Sequence, residues 1–260
     1  MDRICVIGGG GSIGIHFPEF NSLVKSNLRL EAPEHEFVDF FKKQNISSVV
    51  NLAAMTDPVK CEADPELAFE INGCSPKKLF KAATKAECHR FIQVSTSHVY
   101  GATSTLCLLN VKDKCMPQSV YGKSKMAGEE NLIASFGTDG PCLTILRVFS
   151  VVANNMRQGF LYQNLIERAK RQDHSPIRGL GATRDFVSAT TVAQTILLST
   201  ESSARFELRN VCSGIGTKIS ELVSQVYREY GANPELIENM SEVTCQGDFI
   251  VGDPKINKIG

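Results

Sequence analysis

Three things are scarce in this chain: net charge, long apolar runs, and cysteines paired at metal-binding spacing. Each scarcity removes a class of function. Lysine plus arginine number 28 and aspartate plus glutamate number 28 among 260 residues. That balance supplies no overall field to hold a nucleic acid or an anionic membrane, and neither is expected as a partner. No uninterrupted apolar stretch approaches the roughly 20 residues of a membrane-crossing helix. The first apolar run starts at Ile4 with no signal peptide before it, so the expected location is cytoplasmic. The nine cysteines are odd in number and include no CxxC pair or zinc-type spacing. They read as reduced thiols with no metal, and Cys5, Cys142 and Cys212, inside apolar runs, read as small core residues. Internal repeats and low-complexity tracts are also missing. The length suffices for one sizeable core, with or without a smaller appended region.

What is present begins with glycine. Gly8-Gly9-Gly10-Gly11-Ser12-Ile13-Gly14 comes directly after the apolar run Ile4-Cys5-Val6-Ile7. A buried strand, a glycine-rich turn and a helix start make a cradle for phosphate. Without Cβ atoms the backbone can approach a pyrophosphate, and the N–H groups of the next helical turn face the anion. The spacing Gly8-x-x-Gly11-x-x-Gly14 after a strand meets the context rule for dinucleotide binding, with an ordinary turn as the plainer reading.

A second stretch carries chemistry. Tyr121 and Lys125 are four residues apart in a segment, 120–136, that can form a helix, so they share one face. An ammonium beside a phenol favours phenolate and lowers the tyrosine pKa toward working pH. Such a tyrosine can exchange a proton with a sugar hydroxyl while a hydride moves. Taken alone, the pair reads more readily as an exposed lysine beside a half-buried tyrosine, since i, i+4 pairs are common. The third stretch, 91–101, reads as a buried strand ending in hydroxyls at Ser95, Thr96 and Ser97. Ligands of open parallel sheets bind at carboxyl ends of strands, where Thr96 can meet the same oxygen as Tyr121.

With these residues in hand, the chain resembles, over nearly its whole length, the extended short-chain dehydrogenases/reductases of the NAD-dependent epimerase/dehydratase family. Gly8, Gly11 and Gly14 match the family's glycine motif, and Thr96, Tyr121 and Lys125 match its Ser/Thr-Tyr-Lys triad. The resemblance implies an α/β fold, a Rossmann-type doubly wound parallel sheet with a small C-terminal substrate-binding region. Residues 1–150, with a return segment near 186–212, would form the dinucleotide-binding domain. Residues 151–185 and 213–260 would form the substrate region. The implied cofactor is NAD or NADP, and the implied partners are a nucleotide-sugar substrate and a second copy of the chain, joined through two helices that include the Tyr-Lys helix. Tyr121 would be the acid/base, Lys125 would hold the nicotinamide ribose, and Thr96 would bind the reacting oxygen. Ser12, Ile13 and Val148 join the cofactor set.

Along the chain, Pro18 cuts short the helix expected after Gly14, since a proline inside a helix removes a hydrogen bond and clashes. Little room remains before Glu36 for a helix, a strand and a loop. The residue that would choose NAD or NADP after strand two is not identifiable among Lys25, Arg29 and Glu31. Residues 33–44 read as a helix with Phe37, Phe40 and Phe41 inward, and 46–55 as a strand. Leu52, Ala53 and Ala54 at its end match the family's small cofactor neighbours, though core packing alone would also explain them. The stretch 56–68 is similar to the 4-keto-sugar reductases of deoxysugar synthesis. Asp64 and Pro65 suit a helix start. Helical periodicity runs over 66–86, where Asn72 matches a recurrent family asparagine in the cofactor set, or else serves as a kink or cap. Residues 102–119 read as a loop at the substrate mouth.

In the C-terminal part, the resemblance makes Ser150 a substrate candidate at the end of the strand 142–150. Helices are expected over 159–171 and 191–199. Arg184-Asp185-Phe186 matches the epimerase-type segment whose arginine clamps a nucleotide diphosphate, a task that suits a planar bidentate guanidinium. The plainer reading is an Arg184–Asp185 surface pair. Cys245-Gln246-Gly247-Asp248 resembles the family's Arg-Pro-Gly-Asp, so Asp248 would hold a ribose while Cys245 replaces a phosphate contact.

The reaction type rests on the two residues after Thr96. Sugar 4,6-dehydratases of the family carry Asp-Glu there to eliminate water, whereas this chain has Ser97-His98. Ser97 becomes a substrate candidate and dehydration the weakest reading. His98 stands where bifunctional epimerase/reductases use an extra acid/base, and a histidine titrates in the right range; a histidine bonded under the loop is the alternative. The expected function is NAD(P)-dependent hydride transfer at a sugar carbon, C4, of a nucleotide sugar, as a 4-keto-sugar reductase or an epimerase. The alternative from another class is a non-catalytic cofactor-binding regulatory subunit.

Overall fold

Apolar runs become strands, and the amphipathic segments between them become covering helices. A computed structural model describes residues 3–19, 22–153, 160–238 and 247–255, and the backbone of 258–259. In chain order come β1 (Arg3–Ile7), β2 (Leu23–Ser26), α1 (Glu34–Lys43), β3 (Ile46–Asn51), α2 (Pro58–Ala63), α3 (Pro65–Phe69), α4 (Ser75–Lys85) and β4 (Arg90–Thr96). They are followed by β5 (Leu108–Leu109), α5 (Val120–Ile133), β6 (Cys142–Val148), β7 (Ser150–Val152), α6 (Leu161–Lys170), β8 (Thr183–Ser188) and α7 (Ala189–Thr200). Last come β9 (Phe206–Val211), β10 (Gly216–Lys218), α8 (Ile219–Glu229), β11 (Phe249–Gly252) and β12 (Lys258–Ile259).

The main sheet has the order β12-β9-β6-β4-β3-β1-β2 and is parallel except for β12, which runs antiparallel to β9. Its central strands β1, β3, β4 and β6 are buried on both faces, and alternation along them sends successive side chains to opposite layers. Cys5 and Ile7 pack with Phe37 and Phe41 of α1, Leu79 of α4 and Leu132 of α5. Ile4 and Val6 pack with Val192, Ala193 and Ile196 of α7 on the other side. Helices on both faces of a parallel sheet make the doubly wound Rossmann-type fold. The chain steps from β1 outward to β2 and then back to β3 on the other side of β1. The carboxyl ends of β1 and β3 therefore flank a topological switch point, where such sheets open a crevice.

A smaller sheet of order β10-β8-β11-β5, with β7 paired to β8, continues from the carboxyl side of the main one. Behind it, α6 and α8 join through Leu165, Ile166, Val223, Val226 and Tyr227. Among the described residues, no helix is long and apolar enough to cross a membrane.

Several elements differ from the sequence reading. Among the described residues between Gly14 and β2 there is a single 3-10 turn, Gly14–His16, which ends on extended Phe17 ahead of Pro18. The second strand does form, and the space went to it rather than to a helix. The strand expected over 46–55 ends at Asn51, and the Tyr-Lys helix ends at Ile133. The loop 102–119 carries β5, which pairs with β11. The continuous helix expected over 66–86 is α3 and α4 joined through a π turn, Glu70–Cys74. Asp57 and Asp64 cap α2 and α3, each with a proline in the first turn. Cys5 is core, but Cys142 and Cys212 are only half-buried. Gly159, the expected start of α6, lies outside the described residues, as do Cys245 and Gln246.

Candidate active site

A cleft of 1230 Å³ opens at the switch point, and most of the candidate residues line it. One end is the glycine turn. Gly8 has φ +81°, a left-handed conformation, and a Cβ there would lie 2.8 Å from the Ala53 nitrogen. A Cβ on Gly14 would lie 2.3 Å from the Gly9 carbonyl oxygen. The Gly11 N–H donates to the Gly8 carbonyl at 2.9 Å and closes the turn. Gly8, Gly11, Ser12, Ile13 and Gly14 all face the cleft, opposite Leu52, Ala53 and Ala54.

A buried polar chain sets the wall between the two ends. The Ala53 N–H donates to Asn51 Oδ1 at 3.1 Å, and Asn51 Nδ2 donates to Gln93 Oε1 at 2.9 Å. Gln93 Nε2 reaches the Val94 carbonyl at 3.0 Å. The same carbonyl accepts from Lys125 Nζ at 2.7 Å. Sequence reasoning missed Asn51 and Gln93, although each is the one amide side chain in its buried strand.

The other end holds the triad. Ser119 caps α5, its Oγ accepting from the Gly122 N–H at 3.1 Å. A Cβ on Gly122 would lie 2.7 Å from the His98 carbonyl, so the first turn of α5 sits tight against the turn after β4. This brings Tyr121 into the cleft with Thr96. Burial pushes the phenol up to about 12; Thr96 works the other way and Cys61 adds to the rise. Burial pushes the Lys125 ammonium down to about 8, opposed by the Glu129 carboxylate. These directions correct one expectation. Lys125 is turned to the Val94 carbonyl and does not lower the phenol, which stays protonated at neutral pH.

His98 lines the cleft, its ring edge-on to Tyr121 with centroids 5.6 Å apart. Burial, and then the Arg184 charge, hold its pKa below the usual imidazole value, and Asp248 partly offsets them. Arg184 itself pairs with Asp248, Nη2 to Oδ1 at 2.8 Å. The alternative Arg184–Asp185 pair does not form. Strand alternation turns Asp185 inward, where it accepts from the Ser213 and Gly214 N–H groups at 2.8 Å each. Ser150 and Val148 also line the cleft.

Asn72 and Ser97 do not line it. Ser97 is 2% exposed. Asn72 stands behind the wall: its Oδ1 accepts from the Met55 N–H at 2.9 Å. Its Nδ2 donates to the Met55 carbonyl at 2.9 Å and to Ser124 Oγ at 3.0 Å. It ties the segment after β3 to the Tyr-Lys helix, so its place is that of a brace rather than a contact to a ligand.

Comparison with known proteins points to a family and a fold. The family model described as "NAD dependent epimerase/dehydratase family" matches residues 4–212. A dTDP-4-dehydrorhamnose reductase of Mycolicibacterium smegmatis is 30% identical over 139 residues, 51% of this chain and 42% of that protein. The chain spans about half the length of the reductases of this name that it matches. The UDP-glucose 4-epimerase of Thermus thermophilus, solved with NAD, superposes with a TM-score of 0.81 at 20% identity, covering 97% of this chain and 91% of that one. A dTDP-4-dehydrorhamnose reductase ortholog from Clostridium acetobutylicum gives 0.79 at 19% identity, with coverage of 98% and 91%. At such identities the two solved structures speak for the fold.

Proposed function

The chain belongs to the NAD-dependent epimerase/dehydratase family, and from that membership we propose that it is an enzyme that uses NAD or NADP to reduce a keto group, at C4, of a nucleotide sugar. The observation that carries this reading is that Thr96, Tyr121 and Lys125 line the same cleft as the glycine turn. The residues present suit a dinucleotide: a Cβ at Gly8 or Gly14 would fill the cradle. Gly8, Gly11, Ser12, Ile13 and Gly14 would hold the pyrophosphate, Leu52, Ala53, Ala54 and Val148 the walls, and Lys125 the nicotinamide ribose. When bound, the cofactor supplies a hydride to the sugar carbon. Thr96 holds the carbonyl oxygen, and Tyr121 gives that oxygen its proton, which completes the alcohol. Arg184 and Asp248 serve the nucleotide end of the substrate, with Ser150 nearer the sugar.

Reduction is preferred over epimerisation because the dTDP-4-dehydrorhamnose reductases among the relatives support it. The epimerase remains the second reading, favoured by His98 in the cleft beside Arg184 and Asp248. Dehydration lacks its carboxylate pair after Thr96. A non-catalytic regulatory role draws on the missing helix after Gly14 and has no use for the triad.

The test is to analyse the purified protein for bound cofactor and to titrate it with NADH and NADPH. Consumption of NADPH or NADH with a 4-keto nucleotide sugar supports the reductase. Tightly held NAD that survives turnover supports the epimerase, and binding of neither sinks both. A homodimer through α2, α3 and α5 is part of the proposal. Val59, Phe69 and Ile133 on these helices are exposed by 77%, 39% and 46%. Light scattering that finds only monomer would refute it.

A further inference from the structure

Beneath α5, a row of polar side chains crosses three strands of the main sheet. Ser95 on β4 is in register with Arg147 on β6, and Arg147 with Asn210 on β9. All three are buried, at 4%, 6% and 1% exposed. Glu129 descends on this row from α5, itself 2% exposed. Arg147 holds it with Nη2 to Oε2 at 2.7 Å and Nε to both oxygens at 3.1 Å. The Ser95 hydroxyl donates to Oε1 at 2.5 Å. The Arg147 guanidinium lies 4.9 Å from the Tyr100 ring centre, and the Tyr100 hydroxyl donates to Asn210 at 2.7 Å.

This cluster stands next to the catalytic helix face. Tyr121, Lys125 and Glu129 are spaced i, i+4, i+8, so they form one stripe. Lys125 is bonded to the Val94 carbonyl and Glu129 to the hydroxyl of the next residue, Ser95. One buried carboxylate thus stands near two buried cations: it is ion-paired with Arg147, and Lys125 lies one helical turn before it on the same face. Burial drives an amine toward its neutral form, and a carboxylate nearby opposes that drive. Serine and arginine fix the Glu129 carboxylate where it can act, a stronger arrangement than packing alone requires.

We propose that Glu129, oriented by Arg147 and Ser95, is a positioning residue that keeps the Lys125 ammonium charged, so that Lys125 can hold the ribose hydroxyls of the bound dinucleotide. The inference rests on the dinucleotide reading above. Other groups face this stripe without supplying the negative charge. On the turn after β4 stands His98, and on α2 stands Cys61, which acts on Tyr121. Glu62 of α2 is taken by the Val120 N–H at 2.8 Å, and Glu70 on the π turn is exposed.

The experiment tracks NADH and NADPH binding by fluorescence from pH 6 to 10. In the wild type, affinity falls as pH rises past about 8, where Lys125 loses its proton. In E129Q, and in E129Q/R147Q, which leaves no Arg147 charge stranded without its carboxylate, that fall moves down by about one pH unit. E129D, which keeps the carboxylate, retains the wild-type limb. R147M keeps Glu129 and removes a competing cation, so its limb does not move down. A purely structural role predicts lower melting temperatures with the limb unmoved in the double variant, and that result overturns the proposal. A wild type that binds cofactor with no alkaline limb overturns it as well. A wild type that binds neither dinucleotide overturns the functional reading, and this one with it.

Discussion

Arg184 and Asp248 hold each other at the cleft, side chain to side chain at 2.8 Å and Arg184 Nη1 to the Asp248 carbonyl at 2.9 Å. Arg184 belongs to β8 and Asp248 immediately precedes β11, the neighbouring strand, whose register sets Ile250 beside Arg184. The guanidinium is thus kept extended and oriented, with its planar fork shared by a carboxylate. A phosphate arriving at this place must compete with that carboxylate or share the fork with it.

The competition makes a prediction of opposite signs. Arg184→Gln removes charge-assisted bonds worth about 1.5–3 kcal/mol, so a nucleoside diphosphate binds roughly 10- to 100-fold more weakly. Asp248→Asn removes the competitor. The pair is partly exposed, with side chains 19% and 41% accessible. Such pairs contribute about 0.2–1 kcal/mol, so affinity improves by at most about fivefold, and less at high salt. Isothermal titration with UDP and dTDP at two salt concentrations checks both. Equal weakening in both variants would mean that Asp248 is needed for ribose contact more than it competes.

Tyr121→Phe separates an enzyme from a binding module. The ring still fills its place on α5, while the proton is gone. Turnover is expected to fall by about 10²–10⁴, with NAD(P)H affinity kept within about threefold. The phenol sits at about 12, so between about pH 6 and 10 its ionisation adds no limb to the rate of reduction. A steep wild-type limb in that window that disappears in the phenylalanine variant would contradict the protonated phenol.

How much of this was legible in the sequence divides by range. The glycine turn, the strands and the i, i+4 relation of Tyr121 to Lys125 are local patterns, and the fold is built on them. Pro18 likewise announced that no full helix comes after Gly14. The direction of Lys125 was not legible, because its partner is a backbone carbonyl 31 residues away. Neither was the network of Asn51, Gln93, Glu129 and Arg147. Each is a polar residue in a buried stretch, and only the stacking of β3, β4, β6 and α5 shows what it binds. Arg184 was found by its motif, yet its partner was not, since the neighbour in sequence, Asp185, points the other way.

Gly14→Ala tests the cradle. The added Cβ would meet the Gly9 carbonyl at 2.3 Å, and the obstacle is backbone rather than a side chain that could swing away. Overpacking of this kind costs roughly 1–3 kcal/mol. Dinucleotide binding is expected to drop by at least about tenfold, beyond what lost stability explains, because the turn must open to admit the methyl. Fluorescence titration beside urea denaturation reads the two effects separately. Unchanged binding would remove Gly14 from the phosphate site.

Asn72→Ala tests the brace behind the wall. It strands the Met55 N–H, bonded to Asn72 at 2.9 Å, and takes one of two donors from the Met55 carbonyl, which keeps the Cys61 thiol, and one partner from Ser124. An unmet buried polar group costs roughly 1–3 kcal/mol, and the alanine also leaves a small void. Asn72 sits in the π turn, where a Cβ on Gly128 would lie 2.3 Å from the Asn72 carbonyl, so the helices are already in close contact there. Both Met55 and Lys125 line the cleft, so loosening this joint is expected to weaken dinucleotide binding several-fold while leaving the triad chemically intact. Turnover at saturating cofactor should therefore recover most of the wild-type rate. If it stays down by more than about a hundredfold at saturation, Asn72 acts on the reacting groups themselves and not through the wall.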